Sequence, residues 1–226
     1  MTLQQKKVLL FDLDGTLVDS APDLAAALNK TLADLDKPEF SQDTIRSWVG
    51  NGAQTLVARG LSGSATIDSQ LDSELAQQAV TLFLNHYREQ MCVETVLYAD
   101  VKEGLVALKA AGFRLGIITN KPVEFIQPIL SGLGIDALFE IIIGADTLSE
   151  KKPHPAQLIY AVEQLNVTTE SCLMIGDSKN DILAAKAANM DSVGLTYGYN
   201  YGEAIANYEP QWCFDTFAEF SKATLG

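Results

Sequence analysis

The stretch Val8-Leu9-Leu10-Phe11-Asp12-Leu13-Asp14-Gly15-Thr16 decides the fold. Its four consecutive apolar residues are typical of a strand that is buried on both faces of a sheet, and the run ends abruptly at Asp12. Three later runs have the same form: residues 115–118 before Thr119, residues 141–143 before Gly144, and residues 172–175 before Gly176 and Asp177. The sequence therefore predicts four buried strands, each followed directly by a polar or small residue.

Segments with helical periodicity lie between these runs. They cover residues 100–111, 122–130, 155–165 and 179–188, with stop signals at Gly112, Gly132 and Asn189. Strands that alternate with helices predict an α/β fold with a Rossmann-like, doubly wound parallel sheet. Ligands bind such a sheet beyond the carboxyl ends of its strands. We therefore expect Asp12, Thr119 and Asp177 to face one crevice.

Residues 20–93 differ from the rest of the chain because no strand-like run occurs there. Long helical stretches cover residues 21–35, 42–49, 54–60 and 73–91, and residues 61–73 read as a loop. We expect residues 20–93 to form a helical cap inserted into a catalytic core of residues 1–19 and 94–226. Hinges are expected near residues 17–20 and 95–100.

The composition excludes several classes of partner. With 29 acidic and 16 basic residues, the net charge of −13 lacks the basic surface that nucleic acids and anionic membranes require. No apolar run approaches the ~20 residues of a membrane span. Cys92, Cys172 and Cys213 form neither a CxxC nor a zinc pattern, which favours a reducing, cytoplasmic location. The sequence does not decide between a monomer and a homodimer.

Asp12 and Asp14 form a pair of carboxylates separated by one residue. Side chains two positions apart lie on the same side of an extended chain, and Gly15 permits a sharp turn after them. Taken alone, the segment is more typical of an ordinary Asp-Gly turn.

The polar strand ends together resemble the four motifs of the haloacid dehalogenase-like phosphohydrolases. Residues 11–20 are similar to the opening motif, Thr119 to the strand-end threonine of the second, Lys152 before Pro153 to the cation of the third, and residues 175–181 to the acidic fourth. Singly, these residues are equally explained by helix caps and solvated loops. Their order and spacing follow the family over nearly the whole chain, which implies a phosphatase with a Rossmann-like core and a cap.

The resemblance assigns roles to individual residues. It implies that Asp12 is the nucleophile and a metal ligand, and that Asp14 is an acid and then a base whose backbone carbonyl binds the metal. Asp177 would ligate Mg²⁺, and Asp181 would support it. Thr119 and Lys152 would bind the substrate phosphate, with Asn120 as a further candidate.

Charge counting supports a metal. Four carboxylates, those of Asp12, Asp14, Asp177 and Asp181, face an anionic substrate, and Lys152 offsets only one of them. Mg²⁺ together with one proton would balance the remainder. The count assigns that proton to Asp14, on the ground that this carboxyl is crowded by the others.

The expected cap contains further candidates. Gly50-Asn51-Gly52 begins like a dinucleotide fingerprint but lacks its third glycine. The resemblance implies instead that Asn51 and Gly52 lie in a loop that closes over the substrate, with Arg46 or Arg59 pairing a substrate carboxylate. A turn between helices with solvated arginines explains the same residues equally well.

Residues 22–24, 48–53, 120–122 and 193–205 resemble the bacterial phosphoglycolate phosphatases, which implies 2-phosphoglycolate, a small phosphorylated metabolite, as substrate. A hexose-phosphate mutase or sugar-phosphate phosphatase of the same fold would use the same aspartates and stays open. A dehalogenase is disfavoured because that branch lacks the second aspartate of the pair. A non-catalytic phosphate-binding regulator is the alternative from another class, and the presence of both Asp12 and Asp14 does not favour it.

Overall fold

A computed structural model of the protein describes residues 2–226. In chain order, its strands and α-helices are β1 Val8–Phe11, β2 Val18–Asp19, α1 Ala21–Asp34, α2 Gln42–Arg46, α3 Ala53–Ser62, α4 Ser73–Gln90, β3 Val96–Leu97, α5 Val101–Ala110, β4 Arg114–Ile118, α6 Val123–Gly132, β5 Ile141–Ile143, α7 Ala156–Leu165, β6 Cys172–Gly176, α8 Lys179–Ala187, β7 Asp191–Leu195, β8 Trp212–Phe214 and α9 Phe217–Leu225. No helix in this described part of the chain has the length and apolar character needed to span a bilayer.

Six strands form the main sheet in the order β5-β4-β1-β6-β7-β8, and every neighbouring pair is parallel. The chain moves outward from β1 through β4 to β5, then returns to β6 and moves outward on the other side. The strand order thus reverses between β1 and β6, where open α/β sheets bind their ligands. The predicted fold class, a doubly wound parallel sheet, is confirmed.

The central strand β1 is buried on both faces. Leu9 and Phe11 pack in a cluster with Phe217 and Phe220, whereas Val8 and Leu10 belong to a second cluster on the opposite face. This alternation follows from the two-residue repeat of a strand. Burying each such side chain contributes roughly 1.5–3 kcal/mol, so the end of β1 is a firmly held platform.

Helices α1 to α4 share a hydrophobic cluster that includes Leu28 and Phe83, and Phe125 and Ile129 of α6 and Tyr199 also belong to it. The chain enters and leaves this segment through β2 and β3, which pair antiparallel. Beside this ribbon, the Asp23 carboxylate accepts hydrogen bonds from the backbone N–H groups of Glu94 and Thr95. The four helices thus pack on one another and have a short, well-bonded connection to the main sheet.

Several predicted boundaries were wrong. Helix α2 ends at Arg46 rather than at residue 49, and α3 continues to Ser62, so the loop after it is shorter. The predicted stop, Gly132, is the last residue of α6, and the residue with left-handed backbone is Gly134, with φ 66°. Strands β2, β3, β7 and β8 and helix α9 were not predicted. The first two have only two residues each, too few to show a periodicity.

Candidate active site

Parallel pairing brings the carboxyl ends of three strands side by side. Phe11 at the end of β1 lies level with Ile117 of β4 and with Ile175 of β6. The residues that follow these strands therefore meet at one edge of the sheet, and they include Asp12, Thr119 and Asp177.

Three buried carboxylates lie together at this edge. Asp12, Asp177 and Asp181 each offer an oxygen within 4.8 Å of the oxygens of the others. The Thr16 hydroxyl donates to Asp177 Oδ1 at 2.6 Å, and the backbone N–H of Tyr199 donates to Asp177 Oδ2 at 2.5 Å. Asp177 is therefore held in one orientation by two donors.

Asp181 is fixed by the first turn of α8. The backbone N–H and the hydroxyl of Ser178 both donate to Asp181 Oδ2, at 3.0 and 2.8 Å, which forms a capping box. Its other oxygen remains available to Lys152. The first turn of α8 therefore holds the Asp181 carboxylate in a fixed orientation within the cluster.

Lys152 is the cation of this cluster, with a side chain only 1% exposed. Its Nζ lies 3.0 Å from Asp12 Oδ1 and 2.6 Å from Asp181 Oδ1, and it donates to the carbonyl oxygen of Ile118 at 2.6 Å. Burial lowers the pKa of Lys152, but the two carboxylates raise it above its ordinary value overall.

One ammonium does not balance three carboxylates. Burial raises the pKa of Asp12 to about 6, against the opposing effect of Lys152, and burial with the charge of Asp181 raises the pKa of Asp177 well above its ordinary value. Carboxylate oxygens with an excess of negative charge are the donors that hard divalent cations prefer. The cluster therefore fits a divalent cation.

Asp14 does not belong to this cluster. Its oxygens lie 2.9 and 3.1 Å from Lys121 Nζ, and the Ser20 hydroxyl donates to Asp14 Oδ1 at 2.6 Å. The charge count from the sequence placed Asp14 among the other carboxylates and omitted Lys121, and the structure corrects both points. Burial lowers the pKa of Lys121, but the Asp14 carboxylate raises it overall.

A small, partly open cavity of about 40 Å³ lies above these groups. Its floor consists of Asp12, Asp14, Thr119, Asn120 and Lys121, and its apolar walls include Leu24, Val49, Leu56, Phe83, Tyr87 and Phe125. Within residues 2–226, Lys121 is the only cation that lines it. Sequence reasoning missed this lysine, although its position directly after Thr119 and Asn120 was a usable signal.

The two arginine candidates lie elsewhere. Arg46 makes two 2.9 Å hydrogen bonds to the carboxylate of Asp19, and Arg59 donates to the carbonyl oxygens of Trp48 and Ala65 at 2.6 and 3.0 Å. Neither lines the cavity. This arrangement does not support the expectation that either pairs a substrate carboxylate, because protein groups already engage both guanidinium groups.

The loop of residues 50–52 contacts the core. The carbonyl oxygen of Gly50 accepts hydrogen bonds from the side-chain amides of Asn120 and Asn180, both at 3.1 Å, and Lys151 Nζ donates to the carbonyl oxygen of Asn51 at 3.0 Å. A Cβ on Gly52, whose φ is 85°, would lie 2.9 Å from the carbonyl oxygen of Asn120. Glycine therefore allows this loop to close the cavity against the ends of the strands.

Comparison with known proteins gives the family. The family model described as haloacid dehalogenase-like hydrolase matches residues 9–195. The chain belongs to the haloacid dehalogenase-like hydrolases. The resemblance drawn from the sequence motifs is thereby confirmed.

The relatives of this haloacid dehalogenase-like hydrolase are phosphatases. The phosphoglycolate phosphatase of Colwellia psychrerythraea is 71% identical over 219 residues, covering 97% of each chain, and that of Vibrio cholerae is 46% identical, also covering 97% of each. A solved structure described as a predicted phosphoglycolate phosphatase from Haemophilus somnus is 42% identical with a TM-score of 0.90, covering 97% of this chain and 98% of that one. The expectation of a hydrolytic enzyme is confirmed.

Phosphatases of this family generally use a divalent metal, and the cluster of Asp12, Asp177 and Asp181 in this hydrolase is compatible with one. A phosphatase acts on a small phosphorylated substrate, and one carboxylate of the cluster, that of Asp12, lines the cavity.

Proposed function

We propose that the protein is a Mg²⁺-dependent phosphatase that hydrolyses 2-phosphoglycolate to glycolate and phosphate. The observation that carries the phosphatase chemistry is the buried Asp12 carboxylate, which faces a small cavity and contacts the ammonium of Lys152. The proposed substrate is supported by relatives with that name that match nearly the full length of the chain.

Asp12 is the proposed nucleophile. Its carboxylate oxygen forms a bond to phosphorus while the bond between phosphorus and the ester oxygen breaks. Asp14, which must first bind a proton from solvent, then donates that proton to the leaving oxygen. A water molecule then attacks the aspartyl phosphate and gives its proton to Asp14, which releases phosphate and restores Asp12. Two such steps divide one very slow hydrolysis into two easier reactions.

Thr119, Asn120 and Lys152 are the residues proposed to form the phosphate site. The Thr119 oxygen accepts a hydrogen bond from the backbone N–H of Lys121 at 3.2 Å, which leaves the hydroxyl proton free to donate. Both N–H groups of the Asn120 side-chain amide donate to the carbonyl oxygens of Gly50 and Lys152, so this side chain would position the loops around the phosphate rather than donate to it. Lys152, in contact with the nucleophile, reduces the repulsion between two anions that must meet.

Asp12, Asp177 and the backbone carbonyl of Asp14 are the proposed Mg²⁺ ligands, with Asp181 in a supporting position. Bound there, the cation would neutralise charge on the oxygens of the transferring phosphoryl group. The three clustered carboxylates, which share a single ammonium, support this assignment.

We further propose the division into a core of residues 1–19 and 94–226 and a mobile cap of residues 20–93. The packing of α1 to α4 on one another and the two-stranded connection support it. Because the cavity is small, the cap would open to admit substrate and close to exclude water. The three free cysteines support a cytoplasmic location.

A panel of phosphate esters tests the substrate. With Mg²⁺ present, kcat/KM for 2-phosphoglycolate is expected to exceed that for hexose phosphates by ~100-fold, or about 2.7 kcal/mol of transition-state binding. The measurement is release of inorganic phosphate. Equal rates across the panel would contradict the substrate assignment, and conversion of hexose phosphates without phosphate release would indicate a mutase.

Chelation tests the metal. Treatment with EDTA is expected to lower the rate of phosphate release by at least ~100-fold, with recovery on adding Mg²⁺, because the carboxylate cluster then lacks the charge it needs. Calorimetric binding of Mg²⁺ should weaken in an Asp177→Asn variant but not in Lys186→Met, whose lysine is an exposed partner of Glu209. Full activity in EDTA would refute the proposal.

A further inference from the structure

The cavity gives a carboxylate-bearing leaving group few places to bind. Away from the catalytic floor its walls are apolar and include Leu24, Leu56, Phe83 and Phe125. A carboxylate moved from water into such surroundings without a partner costs several kcal/mol. A substrate that carries one therefore needs a cation inside the cavity.

Lys121 is positioned to be that cation. Its ammonium lies 2.9 and 3.1 Å from the two oxygens of Asp14 and 4.7 Å from the centre of the Tyr87 ring, and its side chain is only 3% exposed. An ammonium has three donors, and the two hydrogen bonds to Asp14 use two of them. The third donor is left on the side of Tyr87, whose hydroxyl is near enough to raise the pKa of Lys121 and whose own proton stays free to donate.

Tyr87 supplies a second unused donor. Its side chain is buried and lines the cavity, and its hydroxyl has no hydrogen-bond partner within residues 2–226. Burial raises the pKa of Tyr87 to about 12, so the hydroxyl keeps its proton at neutral pH. A buried hydroxyl without a partner costs free energy that a ligand can recover.

The dimensions of 2-phosphoglycolate agree with a binding site for its carboxylate at Lys121. In 2-phosphoglycolate the carboxyl carbon is two bonds from the ester oxygen, so the carboxylate oxygens lie within about 4 Å of the atom that Asp14 protonates. Lys121 contacts Asp14 directly. The ammonium thus lies within hydrogen-bonding reach of the place where this substrate must carry its charge.

We propose that Lys121 Nζ and the Tyr87 hydroxyl form the carboxylate subsite, so that Lys121 makes the enzyme select an anionic leaving group over a neutral one. This inference rests on the proposed function, whose substrate it explains. It replaces Arg46 and Arg59, which were expected to have this role, with a lysine from the core and a tyrosine from α4.

The test compares two substrates of equal length, 2-phosphoglycolate and 2-hydroxyethyl phosphate, in which a neutral CH₂OH replaces the carboxylate. The wild-type preference in kcat/KM is expected to be ~100-fold, and Lys121→Met is expected to reduce it to nearly 1. Tyr87→Phe should lower the preference for 2-phosphoglycolate by ~5-fold, as expected for the loss of one hydrogen bond to a charged group. Lys121→Arg should restore part of the preference, and Lys186→Met should leave it unchanged.

The ratio of the two kcat/KM values distinguishes direct binding of the substrate carboxylate by Lys121 from an indirect role through Asp14. A lysine that only positions Asp14 would affect both esters equally, so a parallel decline with an unchanged ratio would overturn the inference. If Lys121→Met fails to fold, an unchanged ratio in both Tyr87→Phe and Lys121→Arg would overturn it instead. A wild-type enzyme that releases phosphate from both esters without preference would refute the proposed substrate and the subsite together, whereas an intact preference in folded Lys121→Met would refute the subsite alone.

Discussion

The Asp12→Asn variant is expected to lose phosphate release, with kcat at least ~10⁴-fold lower, because a carboxamide cannot act as the nucleophile. The measurement is single-turnover and steady-state release of phosphate from 2-phosphoglycolate. In the wild type, a fluoroberyllate complex should add electron density to Asp12 and not to a neighbouring carboxylate. Density on another side chain, or persistent turnover in the variant, would show that Asp12 is not the nucleophile.

The stability of the folded chain provides the control for the Asp12→Asn variant. Burial raises the pKa of Asp12 to about 6, so between about pH 4 and 6 the folded chain holds this proton more tightly than the unfolded chain does. Above pH 6 the ionised carboxylate therefore opposes folding, and the neutral amide should be at least as stable at pH 7. A large drop in the melting temperature would mean that lost activity reports unfolding.

The Lys152→Met variant is expected to lose both stability and activity. Its ammonium is enclosed and contacts two carboxylates, so its removal leaves buried negative charge without a partner. Breaking a buried ion pair in this way costs about 3–5 kcal/mol of unfolding free energy. Urea unfolding measures this loss, and phosphate release measures the accompanying loss of kcat.

The matched control is Lys186→Met. Lys186 also contacts a carboxylate, at 3.1 Å, but its side chain is 40% exposed and that of Glu209 is 84% exposed. Exposed pairs contribute about 0–1 kcal/mol. Equal unfolding free energies for the two variants would show that the enclosed charges do not depend on Lys152.

The central sheet could be predicted because its strands are buried on both faces. The run of residues 8–11 has no polar position, which only a fully covered strand tolerates in a water-exposed fold. The edge strand β8 is only three residues long and half-buried, so its pattern is too weak to detect. The inner strand β7 was missed as well, because Asp191, Ser192 and Gly194 interrupt its apolar residues, whereas the edge strand β5 has an unbroken apolar run and was predicted. An uninterrupted apolar run, rather than the position in the sheet, is what makes a strand detectable.

Gly132 shows that one glycine can have two roles. It is the last residue of α6, as the stop signal predicted, and a Cβ there would lie 3.3 Å from Cys92 Sγ, so its small size also serves close packing. The left-handed backbone that follows the helix is at Gly134. Sequence alone does not distinguish a glycine required by a neighbour from one required by a turn.

The charged residues of the site show the same limit. Asp12, Thr119 and Asp177 could be chosen because strand ends must converge, whatever their partners are, and Asp181 was chosen through the resemblance to the acidic fourth motif. The pairing of Asp14 with Lys121, 107 positions away, and of Asp19 with Arg46 depends on the tertiary fold. A sequence shows which residues carry charge but not which charges are already paired, and for that reason the lysine was overlooked and the arginines were chosen.

The three hydrogen bonds that join residues 50 and 51 to Asn120, Asn180 and Lys151 set an energy scale for a latch. In the proposed cap motion, at about 1 kcal/mol net for each bond, they would favour the shut arrangement by about 3 kcal/mol, roughly a hundredfold in population. An open minority near one molecule in a hundred would then persist without any energy source. A latch of this strength would shield the reaction and still let thermal fluctuation alone release the product.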